Sequence, residues 1–320
     1  MAMTYLPLAG GKLHLSRVIL GGHEYLADGR SRAFNEDHAL AVTPGHIFPG
    51  FGGPQRRRVV ARAHALGITT FDVTIDSEKE ALGRNLDELG VAAASVVQTR
   101  PEGMVYSYDP GNRQMIAPGR LRAEVQRAIA LLRRESLDIL NIGILNTALV
   151  QTAGYVQQLG DVLSQLKAEG LVRCVAADTF SGAATYLALL EHGAFDTINL
   201  NFNVADDGAA ATLIPFARAR GVRVVAREVF IKGALFRLAG EAGIHDTDGL
   251  ARAAVKWVAS QPGVDALIIG ARTADELAAS VAAVEAPDLT TAESEALQRV
   301  MALPHFLDIR ARNRAAFARE

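Results

Sequence analysis

The chain has 320 residues, of which 49% are hydrophobic, and its formal net charge at pH 7 is -2. This length suits one large barrel or two ordinary domains, and the composition allows a large core. The small net charge gives no electrostatic reason to expect nucleic acid or an anionic membrane as a partner. We therefore expect a small-molecule substrate, and the sequence does not predict an oligomeric state.

The cysteine content and the start of the chain bear on its compartment. Cys174 is the only cysteine, so no intrachain disulfide forms, and its apolar surroundings indicate a packing role. The first ten residues lack a basic segment followed by an apolar run, which argues against a secretory signal. No apolar run is long enough to cross a bilayer. We expect a cytoplasmic protein.

Taken in order, the chain opens with a hairpin pattern and continues with alternating strands and helices. Two short alternating segments, residues 4–8 and 12–15, flank a glycine-containing turn. The predicted strands that follow are residues 18–21, 69–73, 95–99, 137–144, 172–177, 197–203, 222–229 and 266–270. The predicted helices are residues 55–66, 77–89, 120–134, 154–169, 182–192, 208–220, 249–261, 273–284 and 291–301.

This alternation predicts the fold class. The strands are mostly continuous apolar runs, as is typical of a parallel sheet covered by helices. About eight strand–helix units close a (β/α)8 TIM barrel, with the hairpin plugging its bottom and an extra helix at the C-terminal end. No linker-like composition interrupts residues 1–320, so we predict a single α/β domain. A doubly wound open sheet is the alternative, but no Gly-x-Gly-x-x-Gly follows a predicted strand.

Polar side chains at predicted strand ends indicate where chemistry takes place. Asp72 lies near the end of the second barrel strand, and in a barrel these ends meet at one mouth. A turn cap is the simpler interpretation of Asp72, but further polar residues recur at matching positions. They are His23, Glu24, Asp76, Glu102, Asp178, Asn199, Asn201, Arg227 and Glu228. Carboxylates gathered in this way can divide acid and base roles, and arginines can neutralise an anionic group.

Two connections are longer than usual for a βα loop, which is typical of lids or binding loops. They are residues 25–53 and residues 101–117. The second contains Tyr106 and Tyr108, and either ring is able to fold over the mouth, although surface positions are the alternative. His and acidic residues also occur near residue 23 and in the first loop, but their spacing matches no zinc or calcium pattern, so we expect no metal.

Several segments resemble the aldo/keto reductase family in order and spacing. FDVTIDSEKEALGRNL is similar to its signature, in which Phe-Asp leads to Tyr-Gly, Ser-Glu and Leu-Gly-Arg. YLPLAGGKLHLSRVILGG resembles its opening hairpin, GLVRCVAADTFSG one of its strand ends, and GARTADELAASVAAV its late segment that holds the ribose phosphate. The resemblance implies a barrel that reduces carbonyls with NADP or NAD through an Asp, a Tyr, a Lys and a His.

The resemblance also implies that most of this catalytic set is absent. Asp72 matches the aspartate, whereas Arg100 stands at the lysine position, where it is expected to pair with Asp72 but to be a poor proton relay. Gly143 stands at the histidine position, with Asn141 one inward step below. No tyrosine occurs near Ile75, where the family keeps its proton donor.

The resemblance also assigns cofactor-binding positions to this sequence, and several of them hold a different residue type. Asp178-Thr179 stands where the family has the Ser-Asn pair that binds the carboxamide, and Asn199 replaces a glutamine. Phe202 corresponds to the aromatic residue that stacks on the nicotinamide ring. Arg272 and Ser280 correspond to positions that hold the adenosine phosphate. These matches imply NADP or NAD as the cofactor.

Three functions remain open on this basis. The first is an oxidoreductase that acts on a small polar, sugar-like carbonyl or hydroxy compound through a non-standard proton donor. The candidate catalytic residues are Asp72, Asp76, Arg100, Asn141, Asp178 and Glu228, and the candidate substrate contacts are His23, Glu24, Glu102, Tyr106 and Arg227. The second is a lyase, epimerase or hydrolase that uses the mouth carboxylates, and the third is a non-catalytic binding subunit.

Overall fold

A computed structural model describes residues 3–26 and 29–318, and it contains the predicted hairpin and barrel. Strands β1 (Tyr5–Leu8) and β2 (Leu13–Ser16) form the antiparallel hairpin. The barrel strands are β3 (Val18–Gly21), β4 (Thr70–Val73), β5 (Val96–Thr99), β6 (Leu137–Ile144), β7 (Val172–Thr179), β8 (Thr197–Asn201), β9 (Arg223–Arg227) and β10 (Ala266–Ile269). They pair in parallel in chain order, and β10 pairs with β3 to close the barrel. The predicted fold class is confirmed.

Helices lie between the strands and beyond the last one. They are α1 (Arg32–Glu36), α2 (His38–Ala41), α3 (Pro54–Ala65), α4 (Asp76–Glu88), α5 (Pro118–Leu131), α6 (Asn146–Gln151), α7 (Tyr155–Ala168), α8 (Ala183–Glu191), α9 (Leu213–Ala219), α10 (Ala234–Glu241), α11 (Thr247–Ala259), α12 (Ala274–Glu285), α13 (Thr291–Met301) and α14 (Pro304–Phe317). In the described part of the chain, no helix is both long and apolar enough to cross a membrane.

The helices absent from the prediction are short or polar, and three strands differ from it in their ends by more than one residue: β7 is longer, and β8 and β9 are shorter. Helices α1, α2, α6 and α10 span eight residues or fewer, which is too few for a clear helical repeat. Helix α14 is rich in arginine and buries only Phe306 fully, so its pattern is that of a polar tail. Residues 208–220 are a 3-10 turn followed by α9, and not one continuous helix.

The bottom of the barrel is filled by apolar side chains. Leu8, Leu13 and Leu15 of the hairpin pack against inward-facing residues of the barrel strands. These partners include Ile19, Val96, Ile139, Cys174, Ala176 and Val225. Since successive side chains on a strand alternate between faces, the next inward positions toward the C-terminal ends belong to the mouth. The hairpin therefore seals one end and leaves the polar residues at the other.

Two long segments lie over the mouth. Residues 101–117 are anchored rather than loose, because Met104, Val105 and Met115 are buried in the main core. The ring of Tyr108 lies 6.0 Å from the ring of His38, on the first long segment, which connects the two segments. Residues 27 and 28 of that first segment lie outside the described residues.

Candidate active site

Asp178 is the centre of a hydrogen-bonded cluster at the barrel mouth. It lies on the inner face of β7, fully buried, and its Oδ2 accepts a hydrogen bond of 2.5 Å from the Tyr106 hydroxyl. Arg227 at the end of β9 donates from Nη2 to Asp178 Oδ1 at 2.6 Å, and Asn141 of β6 donates from Nδ2 to Oδ2 at 3.3 Å. The structure thus brings together four of the predicted site residues from three strands and one loop.

Tyr106 reaches this cluster from the segment after β5. Its backbone is in the left-handed region, with φ of 48°, a conformation that is strained for a bulky residue and held by surrounding contacts. Asn112 supplies such contacts, because its Nδ2 donates to the carbonyls of Met104 (3.0 Å) and Tyr106 (2.9 Å). The phenol is therefore built into the mouth from outside the family's usual tyrosine position.

Gly143 makes room for the ring. A Cβ at this position would lie 2.7 Å from Cε1 and Cζ of Tyr106, closer than real side-chain contacts allow. The histidine that the family resemblance implies at this position would occupy the same space. The absence of a side chain at Gly143 is therefore what allows the Tyr106 ring to lie at the mouth.

The environment of the cluster shifts the pKa values of its members. Burial raises the pKa of Asp178, and the positive charge of Arg227 and the hydrogen bonds from Tyr106 and Asn141 oppose this shift. Burial and the nearby Asp178 carboxylate raise the pKa of the Tyr106 hydroxyl. The pKa values of both groups are thus raised, because burial disfavours the charged form of each.

Asp72 is held by Gln98 and not by Arg100. Gln98 Nε2 donates to Asp72 Oδ1 at 2.7 Å across the neighbouring strands β4 and β5. The predicted Asp72–Arg100 pair is wrong, since Gln98 sits directly beside Asp72 in the strand register, whereas Arg100 lies beyond the end of β5. Burial raises the pKa of Asp72, although the Gln98 hydrogen bond and nearby His23 lower it.

His23 forms a dyad with Glu78. Its Nδ1 lies 2.7 Å from Glu78 Oε1, and Glu78 Oε2 accepts from the backbone N–H of Thr74 at 2.9 Å. Burial opposes charge on the imidazole, but Glu78 raises the pKa of His23 above its ordinary value. The dyad fixes one ring nitrogen of His23 toward the carboxylate and leaves the other free of that contact.

Several polar atoms lining the mouth are buried without a hydrogen-bond partner. They are Arg100 Nε, Asn141 Oδ1, Asn199 Oδ1, Asn201 Oδ1 and Arg227 Nε. Buried polar groups in proteins are nearly always paired with protein, water or ligand. Their concentration at the C-terminal ends of four barrel strands, β5, β6, β8 and β9, marks the mouth as a place that receives polar groups.

Other predicted site residues belong to different networks. Asp76 accepts from the buried Lys79 at 2.7 Å, and Lys79 also lies 3.6 Å from Glu102, so both carboxylates support helix α4 and not the Asp178 cluster. Glu24 Oε1 accepts from the Gly52 backbone at 2.5 Å. Glu228 pairs with Lys232 at 3.2 Å on the loop after β9. None of these four contacts the Asp178 cluster through a hydrogen bond among the described residues.

Of the predicted cofactor residues on or directly after β7 and β8, some face the barrel interior and others face away from it. Asn199 faces the barrel interior with its Oδ1 unpartnered. Thr179 faces outward, where its backbone N–H lies 3.3 Å from the Tyr186 hydroxyl. Phe202 is fully buried and stacks on Trp257 of α11, with 5.8 Å between ring centroids, so its ring offers no face to a ligand in this structure.

The two residues expected to hold the adenosine phosphate differ in how exposed they are to solvent. Arg272 is half exposed and pairs with Glu276 at 2.9 Å. Ser280 is buried and donates to the Glu276 carbonyl within α12 at 3.0 Å. In residues 3–26 and 29–318, no group of three or more His, Cys, Asp or Glu side chains is placed to hold a metal ion.

Three residues that the sequence analysis missed complete the site. Gln98 shares the inward face of β5 with Arg100 by the two-residue repeat, a signal that was present in the sequence. Glu78 is four residues from Thr74, at the start of α4, where a carboxylate can reach back to a free N–H. Phe180 follows β7 as an exposed ring whose centroid lies 4.5 Å from that of Tyr106, a contact without a sequence signal.

Comparison with known proteins adds a family and several solved structures. The sequence model of the aldo/keto reductase family matches residues 53–248. A glycerol dehydrogenase from Gluconobacter oxydans shares 19% identity and a TM-score of 0.66, over 94% of this chain and 96% of that one. The holo form of an aldo-keto reductase from Bacillus halodurans shares 16% identity and a TM-score of 0.65, over 93% and 96%.

A third similar structure is an aldo-keto reductase from Klebsiella pneumoniae in complex with NADPH. It shares 16% identity and a TM-score of 0.62, over 94% of this chain and 95% of that one. At such identities, the likeness to solved structures shows the fold alone. Among curated protein sequences, no significant match is found.

Proposed function

This chain belongs to the aldo/keto reductase family, and we propose that it is an NAD(P)(H)-linked oxidoreductase with a relocated proton donor. Its substrate is a small polar, sugar-like carbonyl or hydroxy compound. The family match supports the reaction type, and the unpartnered polar atoms at the mouth support the substrate class. The glycerol dehydrogenase and the NADPH complex among the similar structures agree with this proposal.

The observation that carries the proposal is the position of Tyr106. Its hydroxyl lies among Asp178, Asn141 and Arg227 at the mouth, although the tyrosine expected near Ile75 is absent. A positioned phenol is a suitable acid for the oxygen of a carbonyl that is being reduced. In this proposal the proton donor comes from the loop of residues 101–117 instead of from the strand end near Ile75.

The proton route follows from the cluster. Because burial and Asp178 raise the pKa of Tyr106, the phenol stays protonated before reaction, while the nearby positive charges of Arg227 and Arg100 act in the opposite direction and favour release of its proton. In reduction, its proton passes to the substrate oxygen, Asp178 holds the hydroxyl in place by accepting its hydrogen bond in the resting site, and the phenolate is reprotonated from solvent after the product leaves. Arg227, within 2.6 Å of Asp178 and 3.4 Å of the phenol oxygen, stabilises the negative charge left on the pair.

The residues present fit parts of a nicotinamide dinucleotide. The unpartnered Oδ1 of Asn199 is able to accept from a carboxamide, and the exposed Arg272 is able to bind an adenosine phosphate by exchanging its Glu276 partner. The bound cofactor supplies or accepts the hydride. Phe202 does not serve as the stacking ring in this arrangement, so the ring face must be covered by another side chain.

The proposal is tested by titrating NADPH and NADH into the protein while following the fluorescence of Trp257, the single tryptophan. We expect saturable quenching by at least one of them, and polyol or aldose turnover that requires it. Absence of binding by calorimetry for both nucleotides would refute the proposal.

A second candidate function is a non-redox lyase, epimerase or hydrolase. The His23–Glu78 dyad favours it, because its imidazole interacts electrostatically with the buried Asp72, so two proton-transfer groups lie at the same end of the barrel. The buried Asp72, with its raised pKa, then supplies a proton-transfer group. This candidate predicts turnover of sugars or hydroxy acids after all nucleotide has been removed, whereas strict nucleotide dependence excludes it.

A further inference from the structure

Arg100 is a buried cation without an oxygen partner. Its side chain lies just beyond the end of β5 and is only 9% exposed, and its Nε has no hydrogen-bond partner. Within the described residues, no ion pair or hydrogen bond reaches the guanidinium, whose Cζ lies 5.7 Å from the centroid of the Tyr106 ring. The other two buried cations differ, because Arg56 donates to the Gly21 carbonyl and Lys79 to Asp76.

The guanidinium keeps its charge. Burial by itself would lower the pKa of Arg100, but Glu102 and Tyr106 raise it above the ordinary value. A buried charge without a hydrogen-bonding counterion is unfavourable, and the face of one aromatic ring replaces only part of the lost hydration. The site is therefore incomplete in the protein alone.

Neighbouring acids are already engaged by other groups. Their partners are Arg227 and Tyr106 for Asp178, His23 for Glu78, Lys79 for Glu102 and Gln98 for Asp72. Arg100 interacts electrostatically with both His23 of the dyad and Asp178 of the cluster. Among the described residues, the hydrogen-bond donors of Arg100 are therefore not taken up by any of these acids and are available to a ligand oxygen.

We propose that Arg100 binds an oxyanion, a carboxylate or a phosphate, carried by the substrate. The planar guanidinium fork matches either group through two parallel hydrogen bonds. Asn141 and Asn201, whose Oδ1 atoms are unpartnered, accept from hydroxyl groups of the same molecule. The substrate class is a small hydroxy or oxo compound with an acidic group, such as a sugar acid or a sugar phosphate. This inference rests on the proposed function for the reacting carbon.

The test measures binding by calorimetry with three probes: malonate, inorganic phosphate and glycerol. We expect malonate or phosphate to bind the wild-type protein more tightly than glycerol, and the stronger of the two identifies the acidic group. Arg100→Gln should weaken that affinity by at least about tenfold, the value of a charged hydrogen bond. Arg100→Lys keeps the positive charge but not the planar guanidinium, so its oxyanion affinity should lie between those of the wild type and Arg100→Gln.

Arg58→Gln is the matched control, since it removes an exposed arginine of α3. It should leave oxyanion affinity unchanged. Thermal unfolding of each variant checks that Arg100→Gln is folded, and Arg100→Lys provides the test if it is not. The inference is overturned if neither oxyanion outcompetes glycerol, or if folded Arg100→Gln binds it like the wild type.

The same samples separate this inference from the proposed function. Oxyanion binding that depends on Arg100, without any nucleotide-dependent turnover, refutes the function and keeps the inference. Nucleotide-dependent turnover of neutral polyols, without oxyanion binding, refutes the inference and keeps the function.

Discussion

Gly143 and Tyr106 occupy one space at the barrel mouth. The glycine leaves the volume that the ring fills, and the ring brings its hydroxyl to Asp178. The sequence showed that the expected histidine and tyrosine were absent. It did not show that Tyr106 would fill the space beside Gly143, because that depends on the path of residues 101–117.

Gly143→Ala tests this shared space. The added Cβ would lie 2.7 Å from the Tyr106 ring, so the ring must move and its bond to Asp178 is strained or lost. We expect a loss of about 1–3 kcal/mol in the free energy of unfolding, as for other overpacked cores, and a lower kcat. Urea unfolding and steady-state kinetics measure the two effects.

Gly160→Ala is the control for that substitution. Gly160 lies within α7, with nothing within 4 Å of an added Cβ. It should be neutral or stabilise by up to about 1 kcal/mol, since alanine favours helix. Equal effects of the two substitutions would contradict the account of the Gly143 site.

Glu78 should make stability depend on acid pH. Although burial opposes ionisation, His23 and the Thr74 N–H lower the pKa of Glu78 from 4.5 to about 2. A carboxylate whose pKa is lower in the folded state stabilises the protein above pH 4.5, and this stabilisation is lost as the pH falls from 4.5 to about 2. The shift corresponds to on the order of 3 kcal/mol.

Glu78→Gln should therefore flatten the acid side of the stability curve, measured by urea unfolding between about pH 3 and pH 7. Glu295→Gln, at an exposed position of α13, should keep the wild-type curve. If the Glu78→Gln curve keeps the full acid dependence, the dyad does not stabilise the fold in the way described.

At the scale of elements, the segment of residues 101–117 positions the phenol. Asn112 is fully buried, with φ of 44°, and its Oδ1 accepts from the Leu145 N–H at 3.0 Å. With its two donated bonds to Met104 and Tyr106, the side chain ties the segment to the start of α6. The segment predicted as a lid or binding loop thus places Tyr106 at the mouth through the hydrogen bonds of Asn112.

Asn112→Ala should cost about 2–4 kcal/mol, because two carbonyls and one N–H lose their partner in the interior. A lower kcat should accompany this loss, since Tyr106 is no longer held in its strained conformation. Gln114→Ala, two residues away and exposed, should change stability by less than about 0.5 kcal/mol. An Asn112→Ala protein with wild-type stability and kcat would show that the segment is held by other contacts.

The two-residue repeat of the strands explains which site predictions fail at this scale. Asn199 and Asn201 face inward on β8, so Phe202, at the next position, faces outward against Trp257. The same repeat puts Gln98 next to Asp72 on the inner surface. Applied strictly, this repeat would have excluded Phe202 as a residue that faces the cofactor, and it would have identified Gln98 as a residue of the mouth. The repeat alone does not decide whether Gln98 or Arg100 is the partner of Asp72, because that depends on the reach of each side chain.

At the scale of the whole molecule, the barrel separates a sealed bottom from a polar mouth. The sequence was sufficient for this architecture, because continuous apolar strands and amphipathic helices alternate along the chain. Strand β6 and helix α13 have the predicted bounds. Interactions at the mouth join residues far apart in sequence, such as Tyr106 and Asp178, and the predicted partners, cellular location and site roles stay predictions.

Leu13→Ala tests the separation of the two ends. Leu13 is almost fully buried in the cluster at the barrel bottom, so its truncation should cost about 2–5 kcal/mol. The kcat of the folded protein should stay unchanged, because the mouth is at the opposite end of the strands. Leu307→Ala, at a position 51% exposed, should leave both quantities near wild type. A large fall in kcat for folded Leu13→Ala would contradict the separation.

The most direct test of the account is the turnover number of Tyr106→Phe with saturating nucleotide, compared with Tyr108→Phe, which removes the other phenol of the same turn. If Tyr106 is the relocated proton donor, its variant should lose at least about 100-fold in kcat, the usual contribution of a positioned acid. Its nucleotide affinity should stay at the wild-type value, and Tyr108→Phe should retain wild-type kcat. A Tyr106→Phe protein that turns over at the wild-type rate would contradict the central claim.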